Sequence, residues 1–379
     1  MEREMRALRI EKTEDRRQKT APKLFAGRVL LFSLVTSHFS LQSSGCARPT
    51  GAFFTRTEGR LVWPPPPEKP RIEYLGEFAG AIRAPGDRSF SKSWNEFLYG
   101  PENPPSLVTP HAVSVSADGN RLAVADPNAL CVHILDLEHQ TYRRIDGAPD
   151  ASTVLKCPVG VTWAGNDLFI VDSELHAVIR VAGMDWNAKR IVSSAGSVSL
   201  IAQDTLRRPA GIAYNSTNDR LYVTDAGLHR VFVFDRNGTV AMSFGERGGG
   251  DGQFNFPSQI ACSPDGTVVV ADSMNFRVQR FSPDGVFLGL FGKKGDAAGD
   301  FALPKGVAVD AQGSIWVVDA QFENVQAFTP VGQLLMAIGG EGRKPGEFWL
   351  PAGVTIDGRQ RMWVADSYNR RVQGFQLLP

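Results

Sequence analysis

The sequence predicts an all-β protein, a six-bladed β-propeller, from a motif that recurs six times, an alternating strand pattern in each copy and a last copy that lacks one strand. The motif is a proline that opens a short apolar strand, at Pro110, Pro158, Pro209, Pro257, Pro304 and Pro351. Copies recur about every 47 residues, a period typical of blades because a four-stranded sheet buries both faces only between neighbours. Repeats starting near 107, 155, 206, 254, 301 and 348 therefore predict six blades.

An aspartate closes the second strand of each copy, 14 to 16 residues after the proline, at Asp126, Asp172, Asp225, Asp272, Asp319 and Asp366. The strand that follows alternates apolar and polar side chains, as in 277–281 and 371–375. Period two is typical of a strand with one buried face. We expect the aspartates to accept hydrogen bonds from backbone amides of turns.

The last copy ends after a third strand, because residues 375–379 leave no length for a fourth. Residues 72–78 resemble the outer strands of other copies, such as 286–291. We therefore expect an N-terminal strand near 72–78 to complete the last blade, since this closure removes an open sheet edge. The predicted propeller spans 71–379.

Residues 1–46 form a predicted export leader. A charged stretch precedes an apolar run from Val29 that contains no charged side chain as far as Ala47, the pattern of a secretion signal. Residues 43–46, Ser-Ser-Gly-Cys, resemble a bacterial lipobox, with Ser43 where leucine is usual, and this resemblance implies a lipid on Cys46. A plain signal peptide and a start codon placed too far upstream remain alternatives. Residues 47–70 are proline-rich and fit a stiff spacer between membrane and propeller.

The formal charge is +1, from 41 basic and 40 acidic side chains in 379 residues. Such a balance gives no net electrostatic field that would attract nucleic acid or an acidic surface of a partner. Cys131 and Cys157 are both expected towards one rim, where an oxidising compartment would allow a disulfide between them. Cys262 is expected to be a small core residue.

The repeats resemble NHL repeats, most closely in the runs 303–310 (LPKGVAVD) and 364–372 (VADSYNRRV). The resemblance covers about residue 72 to the C-terminus and is weakest in the first two copies. It implies a propeller that binds ligands where loops converge at the central channel. Some NHL proteins bind RNA in this way, but the near-neutral charge and the predicted leader argue against nucleic acid here.

The residues after each motif proline are expected at the mouth of the channel: His111, Val159, Ala210, Ser258, Lys305 and Ala352. Peptide-amidating lyases resemble NHL propellers and carry zinc-binding histidines at several of these steps, but only His111 matches here. Catalytic zinc needs three protein ligands and an open position. We therefore predict no metal or other cofactor. Zinc or calcium near His111 belongs to an alternative, a metal-dependent lyase or a lactonase-like hydrolase.

Polar donors follow the aspartates of several blades and extend the candidate rim site. The candidate ligand-binding site comprises His111, Ser258 and Lys305 from the mouth and five rim donors, namely Arg230, Asn275, Arg277, Asn369 and Arg371. Each arginine also has a structural interpretation, pairing with a nearby aspartate. His176 and His229 occupy matching places in blades two and three, and we expect them to point outward and lie apart.

The sequence thus favours a non-catalytic binding or scaffold module. It would be exported, periplasmic or cell-envelope, and held to the membrane by a lipid anchor on Cys46 rather than by a transmembrane helix. Its expected partner is an envelope protein, a peptide or a glycan.

Overall fold

The computed structural model describes residues 54–56, 59–79, 106–147, 153–183 and 197–379. Contacts divide the chain into two units, Met1–Arg48 and Pro49–Pro379. The predicted leader, with Cys46, lies outside the described residues. Within the described ranges, no helix has the length and apolar character needed to cross a membrane.

The second unit is a ring of six antiparallel sheets, as the sequence predicts. From the inner strand outward, blade one comprises β3 (Ala112–Val115), β4 (Arg121–Asp126), β5 (Cys131–Asp136) and β6 (Thr141–Ile145). Blade two comprises β7 (Pro158–Ala164), β8 (Asp167–Asp172), β9 (Ala177–Ala182) and β10 (Ser197–Ile201). Blade three comprises β11 (Pro209–Asn215), β12 (Arg220–Asp225), β13 (Arg230–Phe234) and β14 (Val240–Phe244).

Blades four and five follow the same order along the chain. Their strands are β15 (Pro257–Cys262), β16 (Val268–Asp272), β17 (Arg277–Phe281) and β18 (Phe287–Phe291); then β19 (Pro304–Val309), β20 (Ile315–Asp319), β21 (Asn324–Phe328) and β22 (Leu334–Gly339). Two short 3-10 turns, Pro127–Ala129 and Ser273–Asn275, lie between second and third strands.

Blade six joins the two ends of the ring. It comprises β23 (Pro351–Ile356), β24 (Arg361–Asp366), β25 (Arg371–Leu377), β2 (Ile72–Ala79) and β1 (Val62–Trp63). Antiparallel pairing of β2 with β25 confirms the predicted closure. Part of the expected spacer packs here as well, because β1 pairs with β2 and the Trp63 ring lies 5.9 Å from the Phe375 ring.

Neighbouring blades pack through apolar side chains on both faces of their sheets, so the core is divided among the six interfaces between blades. The inner strands contact one another around the ring in the order β3, β7, β11, β15, β19, β23 and back to β3. Because every blade depends on two neighbours, loss of one edge is expected to weaken the whole ring.

The six motif aspartates are buried and accept hydrogen bonds from backbone amides, as predicted. Asp172, for example, accepts from the amides of Lys156, Cys157, Glu174 and Leu175 at 2.7–3.0 Å. Each carboxylate thereby joins the turn after the second strand to the loop that enters the same blade. The aspartates are structural, and they fix the loops that border the channel.

The glycine-rich connections between blades fold alike. In each, a phenylalanine at Phe254, Phe301 or Phe348 is fully buried. Gly292 has φ +87°, and a Cβ at this position would collide with the ring of Phe301. Glycine is therefore required for both backbone conformation and space.

Cys131 and Cys157 are both free thiols, so the disulfide that the sequence allowed does not form. Cys131 is fully buried inside blade one, with its Sγ 3.4 Å from His133 Nε2. Cys157 lies on the rim instead, where its amide binds Asp172. Cys262 is partly buried against the core of blade four and lines the channel.

Candidate functional site at the channel mouth

All six residues that follow a motif proline line one cavity of about 250 Å³ at the end of the central channel. This arrangement confirms their predicted placement. We call the set the channel mouth: His111, Val159, Ala210, Ser258, Lys305 and Ala352. A separate cavity of about 150 Å³ lies between the inner strands of the six blades, and its lining includes Val161, Cys262 and Val307.

His111 is held as a neutral imidazole. Its Nδ1 lies 2.9 Å from the carbonyl oxygen of Val159, so Nδ1 carries the proton and donates it. Burial, and next the positive charge of Lys305, lower the pKa of His111 from 6.5 to about 4. Nε2 consequently presents a lone pair at neutral pH, which suits an N–H or O–H donor.

Lys305 is the cation of the channel mouth. Desolvation lowers the pKa of its ammonium below the ordinary 10.5. Within the described part of the chain, Lys305 Nζ has no hydrogen-bond or carboxylate partner. A half-buried ammonium without an internal counter-ion leaves the mouth with positive charge to offer a ligand.

The Ser258 hydroxyl is hydrogen-bonded to the backbone of the neighbouring blade rather than free to bind a ligand. It donates to the carbonyl oxygen of Lys305 at 2.8 Å, and Ser273 Oγ lies 2.7 Å from Ser258 Oγ. Ser367 performs a related role in blade six, donating to the carbonyl oxygen of Pro110 at 2.6 Å. These bonds connect neighbouring blades, so the mouth is rigidly supported.

The predicted rim donors lie further out and bind loops of their own blades. Arg277 is buried and contacts Asp272 at 2.8 Å together with the carbonyl oxygens of Gly249, Gly250 and Gln253. Arg371 repeats this pattern in blade six with Asp366 and three carbonyl oxygens, and adds Glu77 of β2.

The three remaining rim donors are engaged in the same way. Asn275 binds Asp272 and a loop carbonyl, Asn369 does the same with Asp366, and Arg230 donates to the carbonyl oxygen of Gly245. In this structure the five rim donors serve the connecting loops, whereas His111, Ser258 and Lys305 border the cavity.

A second cavity of about 580 Å³ adjoins the mouth, and we call it the rim hollow. Its lining includes Cys157, His176, Arg207, Arg208, His229 and Phe256. The sequence predicts that the two histidines point outward and lie apart, but both line this hollow, together with Arg207 and Arg208. The two cavities share Ser173, Arg208 and Phe256, so they form one continuous surface.

His229 is also fixed in one tautomer. The backbone amide of Phe256 donates to His229 Nδ1 at 3.2 Å, so the proton of the neutral ring lies on Nε2. The Phe256 ring packs against the imidazole at 4.7 Å. This contact fixes the edge that the hollow shares with the mouth.

Sequence reasoning missed the residues that precede the motif prolines. Arg208, Phe256 and Leu303 each stand one position before a proline and line the mouth cavity. Their shared position in the repeat is a signal that could have identified them.

Comparison with known proteins agrees with this architecture. The family model of the NHL repeat matches residues 206–234 and 254–281. The protein is thus a six-bladed β-propeller in which two segments, in blades three and four, match the NHL repeat. A segment of 61 residues, 16% of this chain, is 34% identical to the protein brain tumor of Drosophila melanogaster, and the match spans 6% of that protein.

Solved structures with the same fold include proteins of different activity. A streptogramin B lyase superposes with a TM-score of 0.52 at 13% identity, over 72% of this chain and 95% of the lyase. An auxiliary nutrient binding protein from Bacteroides ovatus superposes with a TM-score of 0.55 at 13% identity, over 73% of this chain and 71% of that chain. At such identities the likeness concerns the fold alone.

Proposed function

We propose that this protein is a non-catalytic binding or scaffold module of the bacterial cell envelope, with its ligand site at the channel mouth. The observation that carries the proposal is the convergence of all six post-proline residues on one cavity that has apolar walls and a half-buried ammonium, that of Lys305, which has no ion-pair partner among the described residues. Concave, mostly apolar sites with a few polar groups are typical of ligand binding. The predicted lipobox at Cys46 supports the envelope location.

The partner we propose is an envelope protein, a peptide or a glycan that approaches along the propeller face. The rim hollow extends the mouth outward and adds Arg207 and Arg208, both exposed. A ligand that fills the mouth can therefore continue across the rim. NHL propellers generally mediate protein binding, and this supports a polypeptide partner above the others.

The test is to fill the cavity. Ala210→Trp places a large ring in the mouth, whereas Ala311→Trp adds the same ring at an exposed turn that lines a different cavity. Displayed random peptides and an array of bacterial glycans would be screened against both variants and the wild type. We expect binders that lose affinity for Ala210→Trp and keep it for Ala311→Trp, with both variants melting as cooperatively as the wild type. Equal binding to all three proteins would contradict the proposal.

The alternative, a metal-dependent lyase or hydrolase, rests on His111, whose neutral ring leaves Nε2 to coordinate an ion such as zinc. The other post-proline residues, Val159, Ala210, Ser258, Lys305 and Ala352, add neither a histidine nor a carboxylate. Elemental analysis after mild dialysis distinguishes the two functions. Near-stoichiometric zinc or calcium that is lost in His111→Ala would favour the alternative.

A further inference from the structure

We propose that the channel mouth binds a carboxylate at the end of an apolar chain, namely the C-terminus of a peptide. This inference rests on the proposed function and assigns the ligand class of the same site. Its starting point is Lys305, whose ammonium lacks an internal counter-ion in the described structure although the side chain is half-buried in the cavity. An anionic ligand would supply the missing partner and form a charge-assisted hydrogen bond.

One partly desolvated ammonium and apolar walls favour a single negative charge on the part of the ligand that enters the mouth. His111 is neutral, so Lys305 supplies the charge inside the mouth, while Arg208 lies at the shared edge with the rim hollow. Val159, Ala210, Leu303 and Ala352 provide apolar walls. A second negative charge placed among these apolar side chains, away from the exposed Arg208, would be desolvated without a partner, which is costly.

The hydrogen-bond acceptor on His111 restricts the class of ligand further. His111 Nε2 offers a lone pair, because Nδ1 already donates to Val159. The last residue of a peptide presents a carboxylate, an N–H group and one side chain close together. These three groups match the ammonium of Lys305, the lone pair of His111 and the apolar walls, in that order.

The probe is a mixture of pentapeptides randomised at their last three positions, prepared once with free C-termini and once as C-terminal amides. Each mixture is passed over immobilised protein, and retained peptides are identified by mass spectrometry. We expect the free acids to be retained, enriched in apolar last residues, and the amides to be retained at least about tenfold less, as loss of a charge-assisted bond predicts.

Variants assign the effect to one side chain. Lys305→Met keeps the apolar stem and removes the charge, and we expect it to lose the preference for acids over amides. Lys305→Arg should keep that preference. Lys293→Met is the matched control, because Lys293 lies in an exposed connecting loop, where its Nζ is 3.9 Å from Asp300. Melting curves of all variants establish that each one is folded.

Several results would overturn the inference. Equal retention of acids and amides, retention of neither, or an unchanged preference in Lys305→Met would each do so. Binding of N-acetyl-leucine as tightly as the best pentapeptide would overturn the peptide assignment, since a small carboxylic acid would then suffice. Ligands that Ala210→Trp blocks but that show no preference for acids would leave the proposed function standing while this inference fails.

Discussion

Replacing Arg277 by methionine tests how the glycine-rich connecting loop before blade four is held. The residue Arg277 is 7% exposed, and its partner Asp272 is fully buried. The guanidinium spans the Asp272 carboxylate and three carbonyl oxygens of the connecting loop, at 2.7–2.9 Å. Methionine keeps much of the apolar stem but none of these donors.

The expected cost follows from what remains around Asp272. Removing one member of a buried ion pair typically costs about 3–5 kcal/mol, because the other charge is left uncompensated. Asn275, Gln279 and the amide of Asn255 still donate to Asp272. Because these bonds still compensate part of the charge on Asp272, we expect the free energy of unfolding to fall by an amount near the lower value, about 3 kcal/mol.

The control is the same substitution at Arg230, which takes the equivalent place in blade three. Arg230 is half-buried and donates mainly to the carbonyl oxygen of Gly245, while Asp225 is satisfied by four backbone amides. We expect Arg230→Met to cost about 1 kcal/mol or less. The free energy of unfolding of both variants would be measured by urea denaturation with tryptophan fluorescence. Equal losses, or a loss below about 1 kcal/mol for Arg277→Met, would refute this reasoning.

Three further predictions concern pH, closure and anchoring. His111 takes up its proton near pH 6.5 in the unfolded chain but only near pH 4 in the folded protein. The free energy of unfolding therefore falls as the pH drops through this window, by about 2 kcal/mol after allowance for partial exposure. His111→Gln should remove this contribution from the dependence of the urea midpoint on pH, and an unchanged dependence would contradict the prediction. Deleting residues 1–80 removes β2 and should lower the melting temperature far more than deleting 1–60, a difference that equal melting would disprove. In a bacterial host, Cys46→Ser should move the full chain from the membrane to the soluble fraction, and unchanged membrane association would count against the lipid anchor.

Much of the fold follows from short-range patterns. The proline-to-aspartate spacing fixes a β-hairpin in each repeat, and six repeats spaced 47 to 51 residues apart leave a closed ring as the simplest way to bury both faces of every sheet. The missing fourth strand and the pattern of 72–78 identify the closing strand in the same way. These features depend on residues close together in the chain or on one repeat resembling another.

The details of the site depend on contacts between blades, which one sequence does not contain. The tautomer of His111 is set by the carbonyl oxygen of Val159, 48 residues away. His176 and His229 line one hollow with Arg207 from the loop that enters blade three, an arrangement that strand periodicity does not specify. The rim arginines were identified as candidates by residue type, but the loop carbonyl oxygens that bind Arg277 and Arg371 carry no side-chain signal in the sequence.

The most direct test of the binding account is to locate a bound ligand. A peptide selected against the wild type would carry a diazirine on its last side chain, and the crosslinked residue would be identified by mass spectrometry. The account predicts crosslinks to residues that line the mouth cavity, such as Phe256, Met274 and Leu303. Crosslinks confined to the outer strands, such as Leu288 of β18 or Leu335 of β22, would contradict it.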